Sequence, residues 1–234
     1  MLLQSKERNK YRHELKYVCN AAELALLQSR IHHLIPLDSH VGDTGMYNIR
    51  SLYFDDYYNR CYYENENGSD PREKFRIRIY NGSTDKISLE LKKKERGKTL
   101  KLSCPLTEEQ CRILMKGEPL PDNPDYPPVL QKLLLLMKTT MMKPKIIVDY
   151  DRVPYVYKLG NVRITLDKNI SASTKIETFL DKEINKRPIM PAGQHVLEVK
   201  FDEFLPDYIY RALHLNNLRQ TAFSKFYLCR KFAL

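Results

Sequence analysis

Lys74, Arg76 and Arg78 alternate with Phe75, Ile77 and Ile79 in the stretch KFRIRIY. In an extended strand successive side chains point to opposite faces, so one face of this segment is cationic and the other apolar. The planar guanidinium of arginine holds phosphate oxygens through two parallel hydrogen bonds, so paired strand arginines suit a phosphate chain better than a merely negative surface. The device recurs. Arg12, Glu14 and Lys16 share one face of RHELKYV, Glu90, Lys92 and Lys94 one face of LELKKKE, and Glu198 and Lys200 one face of LEVKF. Lys101, Arg152, and Arg163 with Thr165 and Asp167 carry it into three further segments.

For a single strand the ordinary arrangement is apolar side inward and charged side in water. Solvated faces, however, usually mix Ser, Thr, Asn and Gln with both signs of charge, whereas several of these hold almost only Arg and Lys beside one Glu. A closed barrel inverts the arrangement: helices cover outward apolar faces while inward faces line a cationic tunnel. Crowded cations repel and are costly to desolvate, so such a lining implies a multivalent anion.

The rest of the chain supplies the parts. Asn20 with Glu23, and Thr107 with Gln110, form capping boxes, the first followed by Leu24, Leu27, Ile31 and Leu34 at helical spacing. Helices are expected over 20–35, 107–117, 129–141 and from Pro206 to about Asn216. Alternating strands are expected in YRHELKYVC, IRSLYFD, KFRIRIY, KISLELKKKE, TLKLSCPL, KPKIIVDYDRVPYVY, VRITLDKNIS and HVLEVKFDE. NGSTD reads as a five-residue hairpin connection, ERGK as a turn and ENENGSDPRE as a loop. The class is α+β, a closed antiparallel β-barrel of about eight strands decorated by several helices, in one domain spanning 1–234.

Composition narrows the partners. The net charge of +10 favours a polyanion, and 42% hydrophobic residues describe a folding chain. Five scattered cysteines without a C-x-x-C pair argue against a disulfide framework or a structural zinc site, pointing to a reducing, cytoplasmic home. The longest apolar run, LLLLM, is too short for a membrane span, and MLLQSKERNK lacks the apolar core of a signal peptide. There is no Ser-His-Asp set, Walker loop or Rossmann fingerprint.

RHELKY, RSLYFD, KFRIRIY, LELKKKE, DYDRVPY, VRITLD, LEVKF and FSKFYL, in this order from Arg12 to about Leu228, resemble the VTC domain, the polyphosphate polymerase branch of the triphosphate tunnel metalloenzymes. The resemblance implies Lys16, Arg76, Arg78, Lys92, Arg152, Arg163 and Lys225 as catalytic phosphate-holding residues, joined by Arg12, Lys101 and Lys200 in substrate binding. It implies Glu198 and Glu14 as ligands of Mn²⁺ or Mg²⁺. The activity implied is transfer of the γ-phosphate of ATP or another nucleoside triphosphate to a growing polyphosphate chain. Two departures stand out: Arg12 replaces the first Glu of the E-x-E-x-K that hydrolases of the superfamily carry, and Ala222 replaces a lysine expected three positions before Lys225.

Ordinary readings stand beside these. A lone E-x-K pairs along its own strand, so Glu14 with Lys16 and Glu198 with Lys200 suffice as ion pairs. Asp167 reads as a partner of Arg163 or a turn residue. Lys93, Lys94, Lys98 and Lys101 read equally as a solvated strand edge. Competing functions are a non-catalytic polyphosphate or triphosphate binder and a CYTH-type triphosphatase. A nucleic-acid binder ranks last, because Phe75 lies opposite Arg76 and Arg78 where base stacking would need the same face.

Overall fold

The computed structural model describes residues 11–214 and 218–233. Eight strands form one antiparallel sheet: β1 (His13–Asn20), β2 (Tyr47–Asp55), β3 (Arg72–Tyr80), β4 (Ser83–Glu95), β5 (Lys98–Leu106), β6 (Lys143–Tyr157), β7 (Val162–Ser173) and β9 (Gln194–Phe201), in the spatial order β1-β9-β7-β6-β2-β3-β4-β5. The two-residue β8 (Arg187–Pro188) pairs with β7. The sheet curls until its first and last strands meet, but only at the Arg12–Thr99 bridge, whose two backbone hydrogen bonds measure 2.9 Å. Beyond that bridge the free edge of β1 is met instead by the segment before the last helix, through a Tyr17–Gln220 bridge and Thr221 N–H donating to the Lys16 carbonyl at 2.9 Å. The barrel is therefore closed at one end and parted along the β1–β5 seam.

The β3–β4 connection is tighter than expected. Strand β4 starts at Ser83, and Asn81-Gly82 alone makes the turn with φ of 52° and 64°. Two positive φ angles match the right-handed twist of a two-residue hairpin, which Asn-Gly adopts at low cost. Arg96-Gly97 turns β4 into β5 in the same way, at 50° and 75°.

Helices are α1 (Ala21–His32), α2 (Arg60–Glu66), α3 (Glu108–Met115), α4 (Pro128–Thr140), α5 (Asp207–Ala212) and α6 (Lys225–Lys231). Both expected capping boxes form. Asn20→Ala should cost about 1 kcal/mol, read as a fall of about 2–4 °C in melting temperature. Leu34 falls outside α1 and is exposed, because the helix ends at His32. Helix α2 is unexpected: it begins in the unassigned stretch after IRSLYFD and takes in the first three residues of ENENGSDPRE; its first turn is anchored by Asp55, whose carboxylate accepts from Cys61 and Tyr62 N–H at 2.8 and 3.1 Å. The expected end of α5 near Asn216 lies outside the described residues. Among the described residues no helix is long and apolar enough to cross a membrane.

Packing settles which face of KFRIRIY is inside. Phe75, Ile77 and Ile79 point outward and are buried under α3 and α4 with Leu89, Leu91, Leu114, Leu130 and Leu133. On the far side Leu24, Leu27 and Ile31 of α1 and Ile209 of α5 cover Ile164, Leu166, Leu197 and Val199. Each such side chain contributes about 1.5–3 kcal/mol, so the helices stabilise the outer face and leave the charged face to the concave side. A third cluster, Tyr53, Val148, Tyr150, Phe223, Phe226 and Cys229, seats α6 within that concavity.

Candidate active site

The concave face encloses a cavity of about 800 Å³. Its lining carries ten cationic side chains: Lys16 of β1, Arg72, Lys74, Arg76 and Arg78 of β3, Lys92 and Lys94 of β4, Arg152 of β6, Lys200 of β9 and Lys225 of α6. Only three carboxylates, Glu14, Glu66 and Glu198, share the lining. The exposed residues Glu66, Gly68, Gly97 and Thr221 ring its mouth.

Buried carboxylates hold the cations in place. Glu198 receives Lys225 and Lys200 at 2.9 Å each and Arg152 at 3.4 Å. Asp167 accepts both Arg152 Nε and Nη2, at 2.6 and 2.7 Å, and Lys225 at 2.6 Å. Glu90 binds Arg76 at 2.6 Å with Arg78 at 3.7 Å. Arg76 and Arg78 also donate to the hydroxyls of Tyr53 and Tyr150, at 2.8 and 3.3 Å. Burial pushes the carboxyls of Glu14, Glu198 and Glu90 upward, but the surrounding lysines and arginines outweigh it and keep all three well below the usual range. Burial likewise opposes the Lys225 ammonium, yet Asp167 and Glu198 raise its pKa.

At other cavity lysines burial outweighs any neighbouring carboxylate. Burial, with Lys92 and Arg72 nearby, holds Lys74 well below the lysine range; its amine donates to Asn65 Oδ1 at 2.5 Å and Ser224 Oγ at 3.3 Å rather than to a carboxylate. Lys92 is pushed down to about 7, chiefly by burial, although Glu14 lies 2.8 Å away. Between pH about 7 and the lysine value of 10.5 the unfolded chain then binds a proton that the folded chain releases, so the Lys92 contribution to stability rises with pH across that window. A polyanion in the cavity restores the charge. Binding of tripolyphosphate at pH 8.5 should therefore take up protons, measured by calorimetry in buffers of different ionisation enthalpy, and uptake should fall in Lys92→Met. Zero net uptake by the native protein would contradict the assignment.

Of the residues singled out by sequence, Glu14, Lys16, Arg76, Arg78, Lys92, Arg152, Glu198, Lys200 and Lys225 converge on the cavity. Arg12, Lys101 and Arg163 do not line it. Arg12 turns to Asp202, at 2.9 Å, and to the Asn161 carbonyl. Arg163 is held by Asp38 at 2.8 Å and the Tyr47 hydroxyl at 3.0 Å. Lys101 reaches Glu90 at 3.3 Å with its side chain 55% exposed, because the seam leaves the inner face of β5 open to solvent there. Asp167 partners Arg152, not Arg163, since those two residues are directly opposite across β6 and β7. Lys74 and Lys94, placed on cationic strand faces but not among the phosphate-holding residues, also line the cavity; missed were Arg72, in the same even-numbered phase, and the aromatics Tyr53, Tyr150 and Phe226. Arg76 lies 5.7 Å from the Tyr53 ring, Lys225 4.9 Å from Tyr150 and Lys74 5.4 Å from Phe226, so aromatic rings do share the basic face.

For a divalent ion the relevant pair is Glu14 and Glu198. Lys16 lies 3.5 Å from the first and 3.7 Å from the second, and Lys200 lies 3.7 and 2.9 Å from them. Two ionised carboxylates bridged by ammonium groups fit a hard cation such as Mn²⁺ or Mg²⁺ that takes one or two protein oxygens and completes its shell from substrate, provided the lysines give way. Among the described residues no group of three or more His, Cys, Asp and Glu stands at metal-holding spacing.

An antiparallel curled sheet whose concave face gathers Lys and Arg defines the triphosphate tunnel class of fold. Two solved structures of that class share it. A protein from Bacillus halodurans, carrying the provisional name adenylate cyclase, superposes with a TM-score of 0.52 at 13% identity over 88% of either chain. Hippeastrum HpAC1, with a dominant triphosphatase activity, superposes with a TM-score of 0.53 at 13% identity over 96% of this chain and 97% of its own. No curated protein sequence matches the chain. The VTC domain family model matches residues 11–234, and the chain belongs to that family.

Proposed function

We propose that this protein is a phosphotransferase of the polyphosphate polymerase type, taking the γ-phosphate of a nucleoside triphosphate, ATP foremost, and adding it to an inorganic polyphosphate chain. The observation that carries this reading is the concave cavity lined by ten Lys and Arg against three Glu. Phosphoryl transfer asks little covalent help from protein; it needs donor and acceptor held in line and the charge on the moving group neutralised. Arg76 and Arg152, each fixed by a buried carboxylate, and Arg78, held by the Ser51 and Tyr150 hydroxyls, are preorganised to hold phosphates, and Lys16, Lys200 and Lys225, gathered with Arg152 around Glu198, supply further charge. Glu14 and Glu198 would hold Mn²⁺ or Mg²⁺, which supplies further charge neutralisation on substrate oxygens when bound. The terminal oxygen of the acceptor chain forms a bond to the γ-phosphorus as the β–γ bridging P–O bond breaks, and the nucleoside diphosphate leaves with the electron pair. No general base is needed, since the acceptor oxygen is already ionised.

A CYTH-type hydrolase would need a water-activating carboxylate set, but β1 offers the cavity Glu14 alone, with Arg12 facing Asp202. Incubation with ATP and Mn²⁺ followed by a gel stained for polyphosphate tests the proposal. Long chains are the expected product. Free phosphate alone would assign hydrolysis, and neither product would leave a binding module.

A further inference from the structure

The cavity has two chemically different walls. The sheet side is cationic, whereas the lip formed by the end of α2 and the start of α6 presents Asn65, Glu66, Phe226 and Tyr227. Glu66 differs from the other lining carboxylates: Glu14 and Glu198 are surrounded by lysines, while Glu66 Oε1 accepts from the Tyr227 hydroxyl, at 3.2 Å, and pairs with no cation among the described residues. Tyr227 is itself braced on Tyr62, with ring centroids 5.1 Å apart and planes 25° from parallel. Lys74, against Phe226 and bonded to Asn65 and Ser224, marks where the cationic wall meets this lip.

A bare phosphate chain gains nothing from such a lip, since an ionised carboxylate at the mouth repels it. A sugar diol does gain: its hydroxyls donate to a carboxylate, and hydrogen bonds with one charged partner are about twice as strong as neutral ones. We propose that the lip is the nucleoside subsite, with Glu66 accepting from the ribose hydroxyls of a nucleotide whose phosphates lie among Lys74 and the β3 arginines. Tyr227 is a positioning residue that fixes the Glu66 carboxylate. The lip thereby selects an organic triphosphate over an inorganic one, and this rests on the triphosphate reading above.

The test compares ATP with inorganic tripolyphosphate by calorimetry, without added metal, on the native protein, Glu66→Gln and Tyr227→Phe, all conservative changes. Glu66→Gln should weaken ATP about tenfold, the loss of one charge-assisted bond, while tripolyphosphate binds equally or more tightly because a repelling charge is gone. Tyr227→Phe should shift the ratio in the same direction by less, and 2′-deoxy-ATP should be less sensitive to Glu66→Gln than ATP is. Equal changes for both ligands, or none, would overturn the subsite. Native protein that binds neither ligand would instead overturn the triphosphate reading beneath it.

Discussion

Arg76→Ala is expected to weaken triphosphate binding by at least a hundredfold. Two effects add. A guanidinium hydrogen-bonded to phosphate contributes about 1.5–3 kcal/mol, and its removal also leaves Glu90, buried and held ionised by Arg76, facing the ligand without its 2.6 Å partner. Glu90 keeps Lys101 at 3.3 Å and Arg78 at 3.7 Å, so the variant feels part of the about 3–5 kcal/mol that an unpaired buried charge costs and should also melt earlier. The double variant Arg76→Met/Glu90→Gln separates the two: melting should recover while binding stays lost. Calorimetric titration with tripolyphosphate beside a thermal melt reads both, and near-native affinity in the double variant would remove Arg76 from the ligand site. Arg163→Ala makes the contrast. Its guanidinium lies outside the cavity on Asp38 and Tyr47, so affinity should change little. Glu198→Gln should spare most binding and remove metal-dependent turnover.

Asp167→Ala should destabilise the barrel by about 3–5 kcal/mol. The carboxylate is fully buried and is the shared anchor of Arg152 and Lys225, all within 2.7 Å, so its loss leaves Glu198 to neutralise both cations. Urea unfolding followed by circular dichroism measures the loss. The pH dependence has a fixed sign. Asp167 and Glu198 have folded pKa values below their unfolded ones, so their contribution is complete above the ordinary carboxylate range and disappears as pH falls through the lowered values. Native protein should therefore lose stability in acid, and Asp167→Ala should show a shallower decline. An unchanged midpoint in Asp167→Ala would show that Glu198 alone suffices for Arg152 and Lys225.

Much of this was readable before any fold was known. Alternation at two-residue period put Arg76 and Arg78 on one face and Phe75, Ile77 and Ile79 on the other, and the capping residues Asn20 and Thr107 marked where helices begin. Less readable was what depends on partners distant in the chain. Asp55 nucleates α2 through hydrogen bonds to backbone groups that no local pattern announces. Tyr53 joins Arg76, and Tyr150 joins Arg78 and Lys225, because strands separated by tens of residues become neighbours.

Phase along each strand is a local property, so residue order alone determined which side chains share a face and that one face of many strands is cationic. Whether such a face reaches the cavity depends on strand order, on the curl of the sheet and on which counterion captures each side chain. That is why Arg12, Lys101 and Arg163, in phase with the tunnel residues, end on Asp202, Glu90 and Asp38, whereas Lys74 and Arg72 enter the cavity. Alternation sets direction relative to the strand; only tertiary packing sets what lies in that direction.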